Sequence, residues 1–163
     1  MSLCLVALCV ISGCGNPPPL DPPSPYALVQ EESSQQSVQA VDQSAINGAQ
    51  FNRFFPTTDG DYSRVYTQEK QGFAEAKLKQ EDMDIAMLSI SDTLSNPAAR
   101  DKFTASKKTI AGFPAVNQGS TGTAILVRDR YQVKVLSRSE TFTSENRESW
   151  LIKFDLDGLA KLQ

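Results

Sequence analysis

Six of the nine prolines lie close together near the N-terminus, between Pro17 and Pro25. Proline has no backbone N–H and fixes φ at about −65°, so this cluster cannot form a regular helix or an inner strand. The stretch that follows, residues 31–37, contains only Glu, Ser and Gln and is too polar to bury a core. The sequence therefore predicts a tether over residues 15–43 and a folded domain over residues 44–163.

A short apolar run precedes the prolines. Residues 3–11 are all apolar, and the small residues Ser12 and Gly13 separate them from Cys14. Nine residues of helix rise only about 14 Å, against a hydrocarbon core of about 30 Å. The run has the length of a signal-peptide core, so residues 1–13 are predicted to be a signal peptide. The alternative is a buried N-terminal helix or strand with an incidental cysteine.

The sequence Ile11-Ser12-Gly13-Cys14 resembles the lipobox of bacterial lipoproteins. The resemblance implies cleavage before Cys14, a diacylglyceryl group on its thiol and a further acyl chain, such as palmitate, on its amine. Two or three acyl chains give stable membrane anchoring, whereas one is marginal. We therefore expect an extracytoplasmic, membrane-anchored protein on the periplasmic or thylakoid-lumen side, with residues 14–43 as lipidated cysteine and tether.

The composition excludes several classes of chemistry. The chain has no histidine, which removes Ser-His-Asp and Cys-His nucleophiles and every His-containing zinc site. Its cysteines all lie in the first 14 residues, so the folded domain can form no disulfide and no cysteine-metal site. There are 16 Lys and Arg and 19 Asp and Glu, interspersed without the basic excess of a nucleic-acid binder. We expect a protein that is not an enzyme and has no metal, no cofactor and no nucleic-acid partner.

Hydrophobic periodicity from residue 44 onward predicts the order helix, three strands, helix, three strands, helix. Short connections favour antiparallel neighbours. The expected fold class is α+β: a single domain with an antiparallel sheet of about six strands and helices packed over one face. The predicted strands are residues 62–68, 71–80, 85–90, 109–116, 121–127 and 131–137, and the predicted helices are residues 44–55, 96–103 and 144–154, the last capped by Ser144.

Three segments resemble a family of small cyanobacterial lipoproteins without an assigned function. They are YTQEKQGFAEA at residues 66–76, IAGFPAVNQG at residues 110–119 and DRYQVKV at residues 129–135. The resemblance covers about residues 46–163. The Gly-aromatic-Pro strand, with the hairpin and closing helix after it, is also similar to the PsbP-like fold of an extrinsic photosystem II protein. That likeness implies an accessory or assembly role at a photosynthetic membrane, and it carries over no catalytic residue.

Four basic residues cluster on and after the predicted hairpin of residues 121–137. A basic patch beside a lipid anchor could contact anionic headgroups or an acidic partner. The alternative is a solvated strand face balanced by neighbouring carboxylates. The four residues are Arg128, Arg130, Lys134 and Arg138.

The segment Gly119-Ser120-Thr121-Gly122-Thr123 could cradle a phosphate through its backbone N–H groups. It lacks the Gly-Lys-Ser/Thr ending of a P-loop and precedes a strand instead of a helix. The sequence favours a flexible turn.

Three functional hypotheses of different class remain. The first is a lipid-anchored, non-enzymatic accessory or assembly factor that docks on a membrane complex. The second is a lipid-anchored binding module that holds a small apolar ligand between sheet and helices. The third is an enzyme that uses only carboxylates, but no pair of acidic residues in the sequence is distinguished as a catalytic pair. The oligomeric state is left open.

Overall fold

A computed structural model describes residue 42 and residues 44–163 of the protein. The predicted signal peptide, Cys14 and nearly all of the predicted tether lie outside the described residues. The strands are β1 (Tyr62–Lys70), β2 (Phe73–Gln80), β3 (Met83–Asp92), β4 (Thr109–Ile110), β5 (Phe113–Gln118), β6 (Gly122–Val127) and β7 (Tyr131–Ser137). The helices are α1 (Asp101–Thr104), α2 (Ser144–Ile152) and α3 (Leu156–Ala160), with 3-10 helices at Gly48–Phe54, Thr93–Ser95 and Pro97–Arg100.

All strand pairs are antiparallel, and the order across the sheet is β1-β2-β3-β7-β6-β5-β4. The expected α+β class with an antiparallel sheet is confirmed, but the sheet has seven strands instead of about six. The difference lies at the predicted strand 109–116, which is divided into β4 and β5 by a turn at Ala111 and Gly112. Both residues have positive φ, 51° and 84°. Two consecutive residues with positive φ form the tight hairpin turn that suits the twist of the strands. Alanine rarely adopts positive φ, so the sequence did not indicate a turn at this position.

The first face of the sheet carries the main core. On β2 it presents Ala74, Ala76 and Leu78, whose partners on β3 are Ile90, Leu88 and Ala86. Three large side chains from the helices lie fully or almost fully buried against this face. These are Phe51 of the first 3-10 helix, Trp150 of α2 and Leu159 of α3.

The second face of the sheet is covered only in part. Phe103 of α1 packs on Ala124 and Leu126 of β6, with Val116 of β5 beside them. The prediction that all helices lie over one face is therefore wrong. The predicted helix 96–103 is instead a 3-10 helix at Pro97–Arg100 followed by α1, which contains four residues. The Phe103 side chain buries apolar area that β5 and β6 would otherwise expose.

Helix boundaries differ from the predicted ones for local reasons. The predicted helix 44–55 is a 3-10 helix from Gly48, because the Asn47 side chain accepts from the Ala49 N–H and caps it there. Helix α2 is capped by Thr143 instead of Ser144, through a capping box with Asn146.

The chain-end helix also begins at a cap. Asp155 Oδ1 accepts a hydrogen bond from the Gly158 N–H at 2.8 Å. The predicted helix 144–154 thus ends at Ile152, and α3 follows as a separate short helix.

Candidate interaction surfaces

The chain enters the domain at a buried carboxylate. Asp92, at the end of β3, accepts hydrogen bonds from the backbone N–H groups of Ile46 and Leu94, each at 3.1 Å. Its two oxygens also accept from Arg130, at 3.1 Å from Nε and 2.8 Å from Nη2. Arg130 further donates to the Ser44 carbonyl at 3.4 Å. We call these five residues the entry latch, because they fasten the first described residues to the sheet.

Backbone hydrogen bonds support the entry latch. The Gly72 N–H donates to the Ile46 carbonyl at 2.6 Å, and the Asp92 N–H donates to the Gly72 carbonyl at 2.8 Å. The Asp42 N–H donates to the Ser95 hydroxyl at 2.6 Å. The end of the predicted tether therefore contacts the end of the sheet at which the β1–β2 and β6–β7 turns lie.

The four predicted basic contact residues have three different surroundings. Arg130 belongs to the entry latch, where its hydrogen bond to Asp92 raises the pKa of its guanidinium. Arg128 lies in the same turn and donates to the Ala160 carbonyl at 3.0 Å. Lys134 is in the middle of β7, and Arg138 follows the far end of that strand. At about 3.3 Å per residue, Arg130 and Arg138 are roughly 26 Å apart, so the four do not form one patch.

Lys134 and Arg138 instead join other charges on the part of the second face that α1 leaves uncovered. We call this region the open half-face. A groove of about 460 Å³ runs along it, with Met87 as its apolar floor. The groove is lined by Thr67, Glu75, Lys77, Asp84, Met87 and Arg138. The open half-face comprises these residues together with Lys79, Val65 and Lys134, which the register places on the same side of the sheet.

An ion pair organises the groove. Lys77 Nζ lies 2.6 Å from Asp84 Oδ2, with about two-fifths of each side chain exposed. The hydrogen bond from Lys77, and then the charges of Lys77, Lys79 and Arg138, hold the pKa of Asp84 below its usual range. A β-bulge next to Asp84 brings it opposite Lys79. Glu75 and Asp84 balance Lys77 and Arg138 within the groove lining. Lys79 and Lys134, on the same side of the sheet, give the open half-face an excess of positive charge.

A buried cation forms a separate site on the first face. Arg147 of α2 is 4% exposed. It donates to the Thr123 hydroxyl at 2.9 Å, the Ser137 hydroxyl at 2.8 Å and the Ser120 carbonyl at 3.2 Å. The sequence contained a signal for it: Arg147 precedes Trp150 by three residues, a spacing that places both on one helix face.

Large side chains pack between the sheet and its covering helices. Phe51, Tyr131 and Leu159 are fully buried there, and the rings of Phe51 and Tyr131 meet edge to face at 5.9 Å. Packing of this kind occupies the position that the second hypothesis assigns to an apolar ligand.

Two searches of the described residues are negative. Over residue 42 and residues 44–163, no three Asp, Glu, His or Cys side chains are grouped as metal ligands would be. Within the same residues, none of the helices has the length and apolar character needed to cross a membrane.

No protein-family model matches the chain, and no curated protein or solved structure is significantly similar to it.

Proposed function

We propose that this protein is a lipid-anchored, non-enzymatic accessory or assembly factor whose domain docks through the open half-face onto an acidic surface of a membrane protein complex. The observation that carries the proposal is the charge of that surface. Four cations, Lys77, Lys79, Lys134 and Arg138, stand beside two carboxylates, Glu75 and Asp84. Complementary charge steers association and fixes the orientation of docking.

The position of the entry latch supports docking by a tethered domain. The latch lies at one end of the sheet, and Arg138 lies beyond the other end of β7. An unstructured chain as long as the predicted tether spans on the order of 30 Å. A lipid on Cys14 would then hold the domain near a membrane while leaving the open half-face free. The PsbP-like resemblance favours a photosynthetic complex as the partner.

Site-specific crosslinking tests the docking surface in cells. A photo-crosslinking residue replaces Val65, which is 49% exposed on the open half-face. The matched control replaces Ile152, which is 58% exposed on α2 above the other face. We expect one membrane complex to be crosslinked from position 65 and not from position 152. Equal crosslinking from both positions, or none from either, would overturn the proposed surface.

Charge reversal tests whether the positive excess drives docking. Arg138→Glu and Lys134→Glu should each reduce the yield of the crosslink from position 65 by several-fold, and more at low ionic strength. Lys161→Glu, on the exposed end of the chain after α3, is the matched control and should leave the yield unchanged. An equal loss in all three variants would show that net charge matters and that this surface does not.

The anchor is tested independently of the docking surface. Metabolic labelling with a fatty acid should label the wild-type protein and not the Cys14→Ser variant. Label that persists in that variant would contradict lipidation at Cys14.

A further inference from the structure

The guanidinium of Arg147 is buried without a contacting carboxylate. Arginine stays protonated in proteins, so this side chain carries its charge into the interior. Its three acceptors, Thr123, Ser137 and Ser120, contribute only hydroxyl and carbonyl oxygens. Burial of a cation that is not paired with an anion is unfavourable.

The two acidic residues of α2 do not supply this anion. Glu148 is bound to Lys108, with Oε1 2.5 Å from Nζ. Glu145 is fully solvated, and hydrogen bonding with Thr143 is the main cause of its lowered pKa, with the Arg147 charge the smallest. Among the described residues, no ion pair within 4.0 Å includes Arg147. The N-terminal end of α2, where Arg147 lies, adds a further positive potential.

Arg147 is held in place with hydrogen-bonding capacity to spare. The Ser137 hydroxyl accepts from it and donates to the Phe142 carbonyl at 2.5 Å. The Thr123 hydroxyl accepts from it and donates to the Asn117 side chain at 3.4 Å. A guanidinium has five N–H groups, and three are used here, which leaves one on each terminal nitrogen. Two N–H groups on a fixed planar cation match two oxygens of an oxyanion.

Two hydroxyl-rich segments flank this cation. One is the turn from Gly119 through Thr121, where Ser120 is exposed and its carbonyl accepts from Arg147. The other is the loop of residues 138–143, which links β7 to α2 and contains one serine and two threonines. Hydroxyl and backbone N–H groups of such loops can complete the coordination of a phosphate whose charge is met by arginine.

We propose that Arg147 is the anchor of an oxyanion-binding site of the phosphate class, located between the turn of residues 119–121 and the loop of residues 138–143. The ligand is a phosphate group, either free or part of a lipid headgroup. The site lies on the side of the sheet opposite the open half-face, so binding does not depend on the docking proposed above. An anion here would neutralise the buried charge and join the two segments.

The test follows the Arg147 Nε–H signal by NMR in the full chain carrying Cys14→Ser, so that no variant of the site itself is required. In one arm inorganic phosphate is added at constant ionic strength against chloride. In the other arm, vesicles of phosphatidylglycerol in phosphatidylcholine are added, with pure phosphatidylcholine vesicles as reference. A saturable shift with free phosphate supports a soluble ligand, and a response only to phosphatidylglycerol vesicles supports a headgroup. An unchanged Arg147 signal in both arms overturns the proposal.

Variants then assign the affinity to the side chain. Arg147→Gln should weaken binding of the effective ligand at least tenfold in calorimetry, whereas Arg53→Gln, which neutralises an exposed arginine of the first 3-10 helix outside the site, should leave it unchanged. Circular dichroism checks that Arg147→Gln is folded. If it is not folded, Arg147→Lys is compared instead, because lysine keeps the charge but cannot donate the two parallel hydrogen bonds of a guanidinium. Wild-type affinity in the folded Arg147 variant would contradict the assignment.

Discussion

Arg130 and Asp92 form a bidentate ion pair in which the carboxylate is completely buried. The distances are 2.8 Å from Nη2 to Oδ2 and 3.1 Å from Nε to Oδ1, and the Arg130 side chain is 24% exposed. Paired bonds of this type are stronger and more directional than single ones. Because the same carboxylate binds the N–H groups of Ile46 and Leu94, the ion pair joins the entry segment, the end of β3 and the β6–β7 turn.

The first prediction concerns this ion pair. Asp92→Ala should lower the free energy of unfolding by about 3 kcal/mol, since it leaves a partly buried guanidinium and two backbone N–H groups without their acceptor. Urea denaturation measures the change. The control is Asp129→Asn, an exposed acidic residue with a φ of 50°, a conformation that asparagine tolerates. It should change stability by less than about 0.5 kcal/mol. Equal effects of the two substitutions would contradict the role given to Asp92.

The second prediction concerns the turn that divides the predicted strand 109–116 into β4 and β5. Ala111 has a φ of 51°, which strains the backbone of a residue with a Cβ atom. Its side chain is exposed, so packing does not offset this strain. Ala111→Asn should stabilise the protein by about 0.5–1 kcal/mol, because Asn-Gly is favoured in a turn with two positive φ values. Ala111→Val should destabilise it by about 1 kcal/mol, because a β-branched residue is poorly tolerated there. Thermal unfolding of both variants would place them on opposite sides of the wild type if the turn is as described.

The third prediction tests whether the first 3-10 helix is part of the domain core. Phe51→Ala removes a ring that is 0% exposed and should cost about 3–5 kcal/mol, because a cavity is left behind. Ile152→Ala removes an apolar side chain that is 58% exposed, and it should cost less than about 0.5 kcal/mol. Denaturant unfolding compares them. A small loss for Phe51→Ala would mean that residues 48–54 detach without disturbing the sheet.

The fourth prediction is the titration of Asp84. Since the hydrogen bond from Lys77 lowers the pKa of Asp84, the ion pair contributes to stability above the carboxyl group's unfolded pKa and loses that contribution as pH falls through the lower folded pKa. Carboxyl carbon NMR should find the Asp84 pKa below its usual range in the wild type. Lys77→Met should raise it, whereas Lys161→Met, far from the groove, should not. An Asp84 pKa that is the same in the wild type and in Lys77→Met would contradict the Lys77–Asp84 ion pair.

Prediction of the strands succeeded where periodicity was strong. Residues 85–90 were predicted to form a strand, and they lie in β3 between β2 and β7. Within the predicted strand 71–80, Ala74, Ala76 and Leu78 occupy alternate positions, and all three are fully buried. In both cases the hydrophobic pattern belongs to a single strand, so it can be recognised from consecutive residues alone.

The predicted cluster of four basic residues does not form one surface in the structure. Arg128, Arg130, Lys134 and Arg138 are close in sequence, but an extended strand separates its two ends, and the entry latch takes Arg130 into a structural role. Lys77 and Asp84, on different strands, are brought to Arg138 by the register of β2 and β3 and the position of β7. Register between distant strands is set by the packing of the complete sheet, which a local pattern does not contain.

The sequence by itself determined the antiparallel α+β class of the domain and which strand faces are apolar, because hydrophobic alternation acts over a few residues. The tertiary structure alone decided that Asp92 holds the entry segment, that Phe103 covers the second face and that Arg147 is enclosed by Thr123 and Ser137. Each of these contacts joins residues more than nine positions apart. Their free energy comes from burial and hydrogen bonding between elements that meet only after the chain has folded.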